Sequence, residues 1–260
     1  MEPELYSFSV EEKSRLEQLE RELENGFFIL AGARTGSTWL QTSLDQHPNL
    51  WCRTEIFPYN PKEDIRKLQN SAEVITRLEE TFLSKKKPLK AFKILEYQWQ
   101  AYPELRAILM RNSAKVKCIT LVRENLLDWY ISNVVSFRVK KYYGGFANVK
   151  LGDDHLLDEI RQPFFLEPEK VKWGINYLAE VRKNVLISAS SFAQSKNLTY
   201  ESLLKDFSSE LKSTFSFLGL TPIESQNRTL KIIDQPKKIV TNYTELEAEF
   251  SGAHTMGSLQ

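Results

Sequence analysis

The segment from Phe27 to Leu44 constrains this chain most, because a short apolar run leads through two glycines into a helical pattern. The run Phe27–Ala31 is short enough for a buried strand, and GARTGST follows it at once. A glycine-containing turn after a buried strand lets backbone N–H groups point toward one place, and the next helix adds the positive end of its dipole. The sequence therefore predicts a strand, turn and helix that bind a phosphate or sulfate group.

This turn differs from the phosphate-binding loop of nucleoside triphosphatases, GxxxxGK[ST]. Its spacing is one residue shorter, and Ser37 stands at the lysine position. No later strand ends in an acid suited to binding Mg²⁺. The pattern disfavours an ATP or GTP hydrolase, but a nucleotide kinase or triphosphatase stays open as an alternative, as does a non-catalytic nucleotide-binding module.

Apolar runs and helical patterns alternate along the rest of the chain. Strands are predicted near 90–95, 116–122, 185–189 and 198–200, and helices near 9–24, 61–83, 104–111, 126–137, 169–183 and 207–218. Such alternation is typical of a parallel sheet covered by helices on both faces. We therefore expect an α/β fold with a central parallel sheet, flanking helices and a P-loop-like turn.

The domain boundaries follow from the same pattern. A surface helix is predicted in residues 1–25, and one α/β domain in residues 26–250. Residues 140–166 break the rhythm and are interpreted as an irregular insertion that shapes an acceptor site. Residues 251–260 have no periodicity and are interpreted as a vector-derived tail. The N-terminal helix could pair two chains in a homodimer or pack on its own domain.

Charge and cysteine content narrow the class of protein. The 260 residues include 35 Lys and Arg and 34 Asp and Glu, a formal net charge of +1, whereas nucleic-acid binders usually have a basic excess. The only cysteines, Cys52 and Cys118, form no disulfide framework or metal motif. No apolar stretch is long enough for a signal peptide or a membrane span. We expect a cytoplasmic protein without a metal, a membrane span or a nucleic-acid partner.

A second segment, from Val116 to Ser136, offers groups for another phosphate. Its predicted strand ends in LVREN, which places Arg123 at the carboxyl end of a parallel strand, where ligands of such sheets bind. A guanidinium group suits a phosphate dianion because its fork donates two charge-assisted hydrogen bonds. Ser132 on the following helix offers a hydroxyl. Taken alone, Arg123 could equally form an ion pair on the surface, and Ser132 could be a solvated serine of a helix.

The two segments together, FILAGARTGSTWL and LVRENLLDWYIS, resemble the 5′-phosphosulfate and 3′-phosphate motifs of sulfotransferases that use PAPS (3′-phosphoadenosine 5′-phosphosulfate). The resemblance is closest to the bacterial carbohydrate sulfotransferases of the Nod-factor type. It continues in order through HPN at 47–49, Lys93, YESLLKD at 200–206 and NY at 242–243. Arg34 stands where cytosolic steroid and phenol enzymes usually have lysine, which also suits the bacterial group.

The resemblance implies transfer of a sulfuryl group from PAPS to a hydroxyl, by in-line displacement with a general base. The cofactor-binding residues that it implies are Arg34, Thr35, Gly36, Ser37, Thr38, Trp39, Arg123, Ser132, Lys237 and Lys238. It places Lys93 and Arg34 near the transferring group and makes Glu55 the base. His155 is the rival base, because an imidazole titrates near neutral pH and this one lies in the insertion.

The acceptor stays open at this point. The resemblance favours a carbohydrate or glycolipid hydroxyl, and Trp99 could stack on a sugar ring or pack in the core. A small molecule of secondary metabolism is the alternative. The acidic insertion, with Asp153, Asp154 and Asp158, could attract a cationic acceptor such as a guanidinium alkaloid, with sulfation at oxygen or nitrogen.

Overall fold

The computed structural model describes residues 8–60, 65–66, 68–84, 86–143, 158, 160–226 and 235–250. The chain divides into two compact units, residues 1–122 with 184–227 and residues 123–183 with 228–260. Among the described residues, two buried apolar clusters lie in the first unit and one lies in the second.

The secondary structure alternates as the sequence predicts. The strands are β1 (Gly26–Ala31), β2 (Leu50–Glu55), β3 (Tyr59–Asn60), β4 (Ile65–Arg66), β5 (Leu89–Leu95), β6 (Lys117–Val122) and β7 (Ser195–Thr199). The helices are α1 (Val10–Leu23), α2 (Ser37–Leu44), α3 (Ser71–Phe82), α4 (Glu96–Ala101), α5 (Pro103–Arg111), α6 (Leu126–Tyr143), α7 (Pro168–Ser190), α8 (Tyr200–Lys205), α9 (Phe207–Leu218) and α10 (Tyr243–Phe250).

The first unit is built on a five-stranded sheet in the order β2-β5-β1-β6-β7, in which every neighbouring pair is parallel. All six residues of β1 are buried, as an apolar central strand with helices on both faces requires. Phe28 and Leu30 face the core beneath α1, α3 and α5, whereas Phe27 and Ile29 face the core beneath α2 and α9. The predicted α/β class with a helix-covered parallel sheet is confirmed.

The N-terminal helix packs on its own unit. A capping box at Ser9 begins α1, and its three buried leucines, Leu16, Leu19 and Leu23, are at most 2% exposed. The guanidinium of Arg15 donates to both carboxylate oxygens of Glu79 on α3, at 2.9 and 2.6 Å. The sparse leucines of this helix are therefore accounted for by packing within one chain.

Three elements differ from the sequence-based expectation. The strand predicted at 185–189 is wrong: α7 continues to Ser190, and Val185 and Ala189 lie four residues apart on its buried side. A short apolar run does not distinguish a buried helix from a strand. The predicted helix at 61–83 is shorter, because α3 begins after Asn70, whose side chain accepts from the N–H of Glu73. Residues 50–55, for which the sequence pattern predicts no strand, form the edge strand β2.

The second unit has a helical core of α6, the first part of α7 and α10. Trp129 is fully buried there, and Asn242 holds the backbone of Leu166 through two hydrogen bonds, at 3.1 and 2.8 Å. A Cβ on Gly174 would lie 2.1 Å from the ring of Tyr130, so only glycine allows these helices to approach so closely. None of the helices in the described residues is long and apolar enough to span a membrane.

Candidate active site

The turn between β1 and α2 has the backbone of an anion-binding loop. Arg34 (φ 64°) and Gly36 (φ 85°) are both in the left-handed region, which few residues other than glycine adopt. The hydroxyl of Thr35 donates to the carbonyl of Gly32 at 2.8 Å and fixes the turn from inside. The first N–H groups of α2 have no acceptor within the helix, as at every helix start. The turn can therefore direct several N–H groups at one anion.

Aromatic side chains enclose one side of this turn. A Cβ on Gly36 would lie 2.9 Å from the ring of Tyr200, so the ring lies directly on the glycine backbone. The Trp39 indole stacks on Phe207 at 4.5 Å between ring centroids and meets Tyr200 edge to face at 6.4 Å. In the described part of the chain, no group accepts a hydrogen bond from the buried Nε1 of Trp39.

Sequence reasoning placed Trp39 in the site but missed Tyr200 and Phe207. Tyr200 begins the segment YESLLKD, which stands out in the sequence only through the resemblance. The residue is brought to the turn because β7 lies two strands from β1 and ends at the same edge of the sheet. An aromatic residue directly after a parallel strand was the signal that could have identified it.

Lys93 joins the turn to β2. Its Nζ lies 2.9 Å from Oγ1 of Thr38 and 2.8 Å from Oε1 of Glu55, and the residue is only 2% exposed. A buried ammonium group is tolerated when it is paired and hydrogen-bonded, as this one is. Lys93 is therefore a buried, oriented cation inside β5 and not a solvated lysine at a strand end.

Glu55 is the last residue of β2, and its side chain is 33% exposed. One carboxylate oxygen is held by the Lys93 ammonium, while the group as a whole keeps contact with solvent. The carboxylate is thus fixed in direction and still accessible. This combination suits a group that exchanges protons with a molecule entering from solvent.

Side chains of α2 and the residue that follows it hold the strand that carries Glu55. The amide Nε2 of Gln41 donates to the carbonyl of Cys52 at 2.5 Å, and the N–H of Cys52 donates to Oδ1 of Asp45 at 2.7 Å.

Burial raises the pKa of the Cys52 thiol, and it does the same for Cys118. Neither cysteine is a thiolate nucleophile at neutral pH.

The remaining predicted cofactor residues belong to the second unit. Arg123 follows β6 directly and is 9% exposed, and Ser132 is half-buried on α6. Lys237 is exposed, pairs with Glu247 at 3.0 Å and lies 5.2 Å from the ring centroid of Tyr243. Lys238 is exposed beside it.

Besides Glu55, the structure describes two of the residues predicted at the acceptor site, Trp99 and Asp158. Trp99 is 3% exposed and stacks on Phe28 with centroids 5.7 Å apart, which favours core packing over contact with an acceptor. His155, Asp153 and Asp154 lie outside the described residues, and Asp158 is exposed. No cluster of three or more His, Cys, Asp or Glu side chains suited to a metal occurs in the ranges that the structure describes.

No protein-family model and no curated protein matches the sequence. Solved structures do resemble the chain. A sulfotransferase from Alicyclobacillus acidocaldarius aligns over 87% of this chain and 91% of its own, with 16% identity and a TM-score of 0.51. The sulfotransferase domain from the curacin biosynthetic pathway (19% identity, 84% and 85% covered) and mouse sulfotransferase SULT7A1 complexed with PAP (15%, 94% and 91%) both align with a TM-score of 0.45. The chain shares the fold of the Alicyclobacillus sulfotransferase.

Proposed function

We propose that this protein is a sulfotransferase that moves the sulfuryl group of PAPS to a hydroxyl of a small acceptor. The observation that carries the proposal is the buried Lys93 ammonium, which contacts Thr38 beside the anion-binding turn and Glu55 on β2. An anion site, an oriented cation and an accessible carboxylate thus meet at one edge of the sheet. The fold shared with the Alicyclobacillus sulfotransferase agrees with this assignment.

The first unit fits the anionic part of PAPS. The N–H groups around Gly36 and the start of α2 suit phosphate and sulfate oxygens, which accept several donors at once. The Thr38 hydroxyl accepts from Lys93, so its own hydrogen can go to an anion. A buried donor without an acceptor costs about 1–3 kcal/mol, and a nucleotide acceptor atom would satisfy Nε1 of Trp39. Arg34, Thr35 and Ser37 complete the proposed 5′-phosphosulfate site.

The chain's own residues can meet the demands of group transfer. Bound PAPS supplies an activated sulfuryl group and a phosphate leaving group. Lys93 and the turn's N–H groups stabilise negative charge that grows on oxygen during transfer, because they are oriented before the reaction begins. Glu55 takes the proton of the attacking hydroxyl. Its fixed contact with Lys93 favours Glu55 over His155 as the base.

Arg123 and Ser132 are proposed for the 3′-phosphate, on the strength of the resemblance. Arginine at the end of a parallel strand suits a phosphate dianion. Lys237 and Lys238 are proposed as additional contacts. Lys237 would have to exchange its partner Glu247 for the nucleotide, so we expect its contribution to be smaller than that of Arg123.

The acceptor that we propose is a carbohydrate or glycolipid hydroxyl, as the resemblance implies. A small secondary metabolite, including a cationic one sulfated at oxygen or nitrogen, is the alternative. A cytoplasmic location is part of the proposal, because both cysteines are buried and reduced. A homodimer stays a prediction from the sequence.

Thermal unfolding with nucleotides tests the proposal. PAP, the desulfated bisphosphate, should stabilise the protein by about 2.7 kcal/mol at a 100-fold excess over its dissociation constant. AMP, which lacks one phosphate, should stabilise it less, and ATP with Mg²⁺ should do no better than AMP. Stabilisation by ATP with Mg²⁺ but not by PAP would instead support a kinase or triphosphatase. Binding of PAP without PAP release from PAPS, across a panel of acceptors, would indicate a non-catalytic module.

A further inference from the structure

Strand β2 has one residue more than β5 over the span that leads to the site. The parallel register pairs Cys52 with Ala91 and Arg53 with Phe92, and then pairs Glu55 with Lys93. Thr54 is the extra residue, and the shift in register at this point is a β-bulge. Bulges of this kind change the direction in which the following side chains point.

The bulge decides which face of the sheet carries Glu55. Side chains alternate along a strand, and directly paired residues share a face. Ala91 and Lys93 lie on the α2 face, whereas Phe92 and Ile94 lie on the opposite face, in the core beneath α3. Without the bulge, Thr54 would pair with Lys93, and Glu55 would pair with Ile94 over an apolar core.

Hydrogen bonds from two other segments hold the strand immediately before the bulge. On one side Gln41 and Asp45 hold the backbone of Cys52. On the other side Nη1 of Arg53 donates to the hydroxyl of Thr81 on α3 at 3.3 Å. Thr54 itself is exposed. Because the residues before the bulge are held in place, the extra residue is accommodated at the bulge itself. The exposed Thr54 side chain is not needed to form the bulge.

We propose that the bulge at Thr54 is a positioning device that turns Glu55 onto Lys93, whose ammonium group also contacts Thr38. The position of the carboxylate is set by the number of residues between Arg53 and the acid. The role of the device in catalysis rests on the proposed function, whereas the contact between Glu55 and Lys93 can be tested without any nucleotide.

An exchange of neighbouring residues tests the contact at constant composition and charge. We compare the urea midpoints of the wild type, E55T and the double variant T54E/E55T. In both variants Lys93 should lose its carboxylate, so both midpoints should fall by the same amount. Because positions 54 and 55 are both exposed, the exchange introduces no buried clash. A wild-type midpoint for T54E/E55T would overturn the proposal, because a carboxylate at either position would then serve Lys93.

Two further variants distinguish the residue count of β2 from the chemistry of its side chains. T54A keeps the residue count and should keep the wild-type midpoint; a fall equal to that of E55T would assign the effect to the Thr54 side chain and overturn the proposal. E55D, which keeps a carboxylate at position 55, should recover part of the midpoint lost in E55T. No recovery would count against a paired carboxylate at this position.

The role of the bulge in catalysis is tested by measuring PAP affinity and the rate of PAP release. T54E/E55T should bind PAP with a dissociation constant within about twofold of the wild type and release PAP from PAPS about 100-fold more slowly, with an unchanged KM for PAPS. Wild-type turnover in T54E/E55T would overturn the positioning role. Failure of the wild type to bind PAP would reject the proposed function, and the urea midpoints would still decide the role of the bulge.

Discussion

At the scale of the residue, two buried lysines of β5 differ in what they contact. Lys90 is 8% exposed, and its Nζ contacts Glu22 at 2.7 Å and the carbonyl of Phe82 at 2.5 Å. Lys93 is also buried, but its partners Thr38 and Glu55 belong to the candidate site. Because the two lysines lie three positions apart in a strand, they face opposite sides of the sheet. Burial stabilises neither charge, so the partners of each lysine determine its role.

Replacing each lysine by methionine separates stability from catalysis. We expect both K93M and K90M to lower the urea midpoint, because each removes a buried donor and leaves two oxygen acceptors without that hydrogen bond. Only K93M should lower kcat, by about 100- to 1000-fold, the usual effect of removing one oriented donor from a transition state. PAP release from PAPS, corrected for folded protein, measures the difference. Equal losses of kcat in the two variants would mean that Lys93 acts only through stability.

Glu55→Gln tests the base at the same scale. The amide oxygen can still accept from Lys93, so the fold and PAP binding should be preserved. Proton transfer should be lost, and kcat should fall by about 100-fold or more. Calorimetry with PAP and steady-state release of PAP give the two quantities. Retained turnover would transfer the role of base to His155 or to water.

At the scale of the element, the turn between β1 and α2 requires a left-handed backbone conformation at Gly36, which glycine adopts without a steric penalty. Gly36 and Gly219 are both left-handed, at φ 85° and 78°. They differ in their surroundings, because a Cβ on Gly36 would meet Tyr200 and a Cβ on Gly219 would meet nothing within 4 Å. Alanine substitutions at the two positions therefore separate the free-energy cost of a Cβ in left-handed backbone from the cost of a steric clash with Tyr200.

We expect Gly219→Ala to lower the free energy of unfolding by about 1–2 kcal/mol, the penalty for a Cβ in left-handed backbone. Gly36→Ala should cost more, since Tyr200 must move as well, and it alone should weaken PAP binding. Urea unfolding and calorimetry of the two variants provide the comparison. Unchanged PAP affinity in Gly36→Ala would place the nucleotide away from this turn.

At the scale of the whole molecule, each unit is stabilised by its own core, and that of the second unit includes a buried tyrosine. Tyr243 is 4% exposed and donates to Oδ1 of Asp128 at 2.9 Å. Lys237 lies over its ring, and Glu247 is near it. Burial and the Asp128 carboxylate raise the pKa of Tyr243 well above its ordinary value of about 10. The neutral phenol is therefore the form that the folded protein favours.

This shift predicts a loss of stability at alkaline pH. Below about pH 10 the phenol is protonated in both states and the stabilisation is complete. Above it, the unfolded chain loses the proton first, so unfolding becomes more favourable as the pH rises toward the folded pKa. Tyr243→Phe should cost about 1 kcal/mol at pH 8, for the lost hydrogen bond, and should show a smaller fall in stability between about pH 8 and 11. Parallel pH curves for the two proteins, measured by urea unfolding, would contradict this role of the phenol.

The fold class and the local structure of the turn at the candidate site follow from short stretches of the sequence. Strand β1, its glycine turn and α2 are local in sequence, and their residue types permit few other structures. The same holds for β6 and the position of Arg123 directly after it. For this reason the strand, turn and helix and the α/β class can be predicted without knowledge of any tertiary contact.

Which distant residues meet at the candidate site depends on long-range contacts. Glu55 meets Lys93 because two distant segments pair in one register and Thr54 interrupts it, and no local pattern in LWCRTE indicates that strand or its bulge. Burial of Trp99, the contact of Tyr200 with Gly36 and the helical course of Val185 also depend on neighbours far along the chain. Local sequence sets the preferences of each segment, whereas register and burial arise from long-range pairing, which sums contributions from the whole sheet.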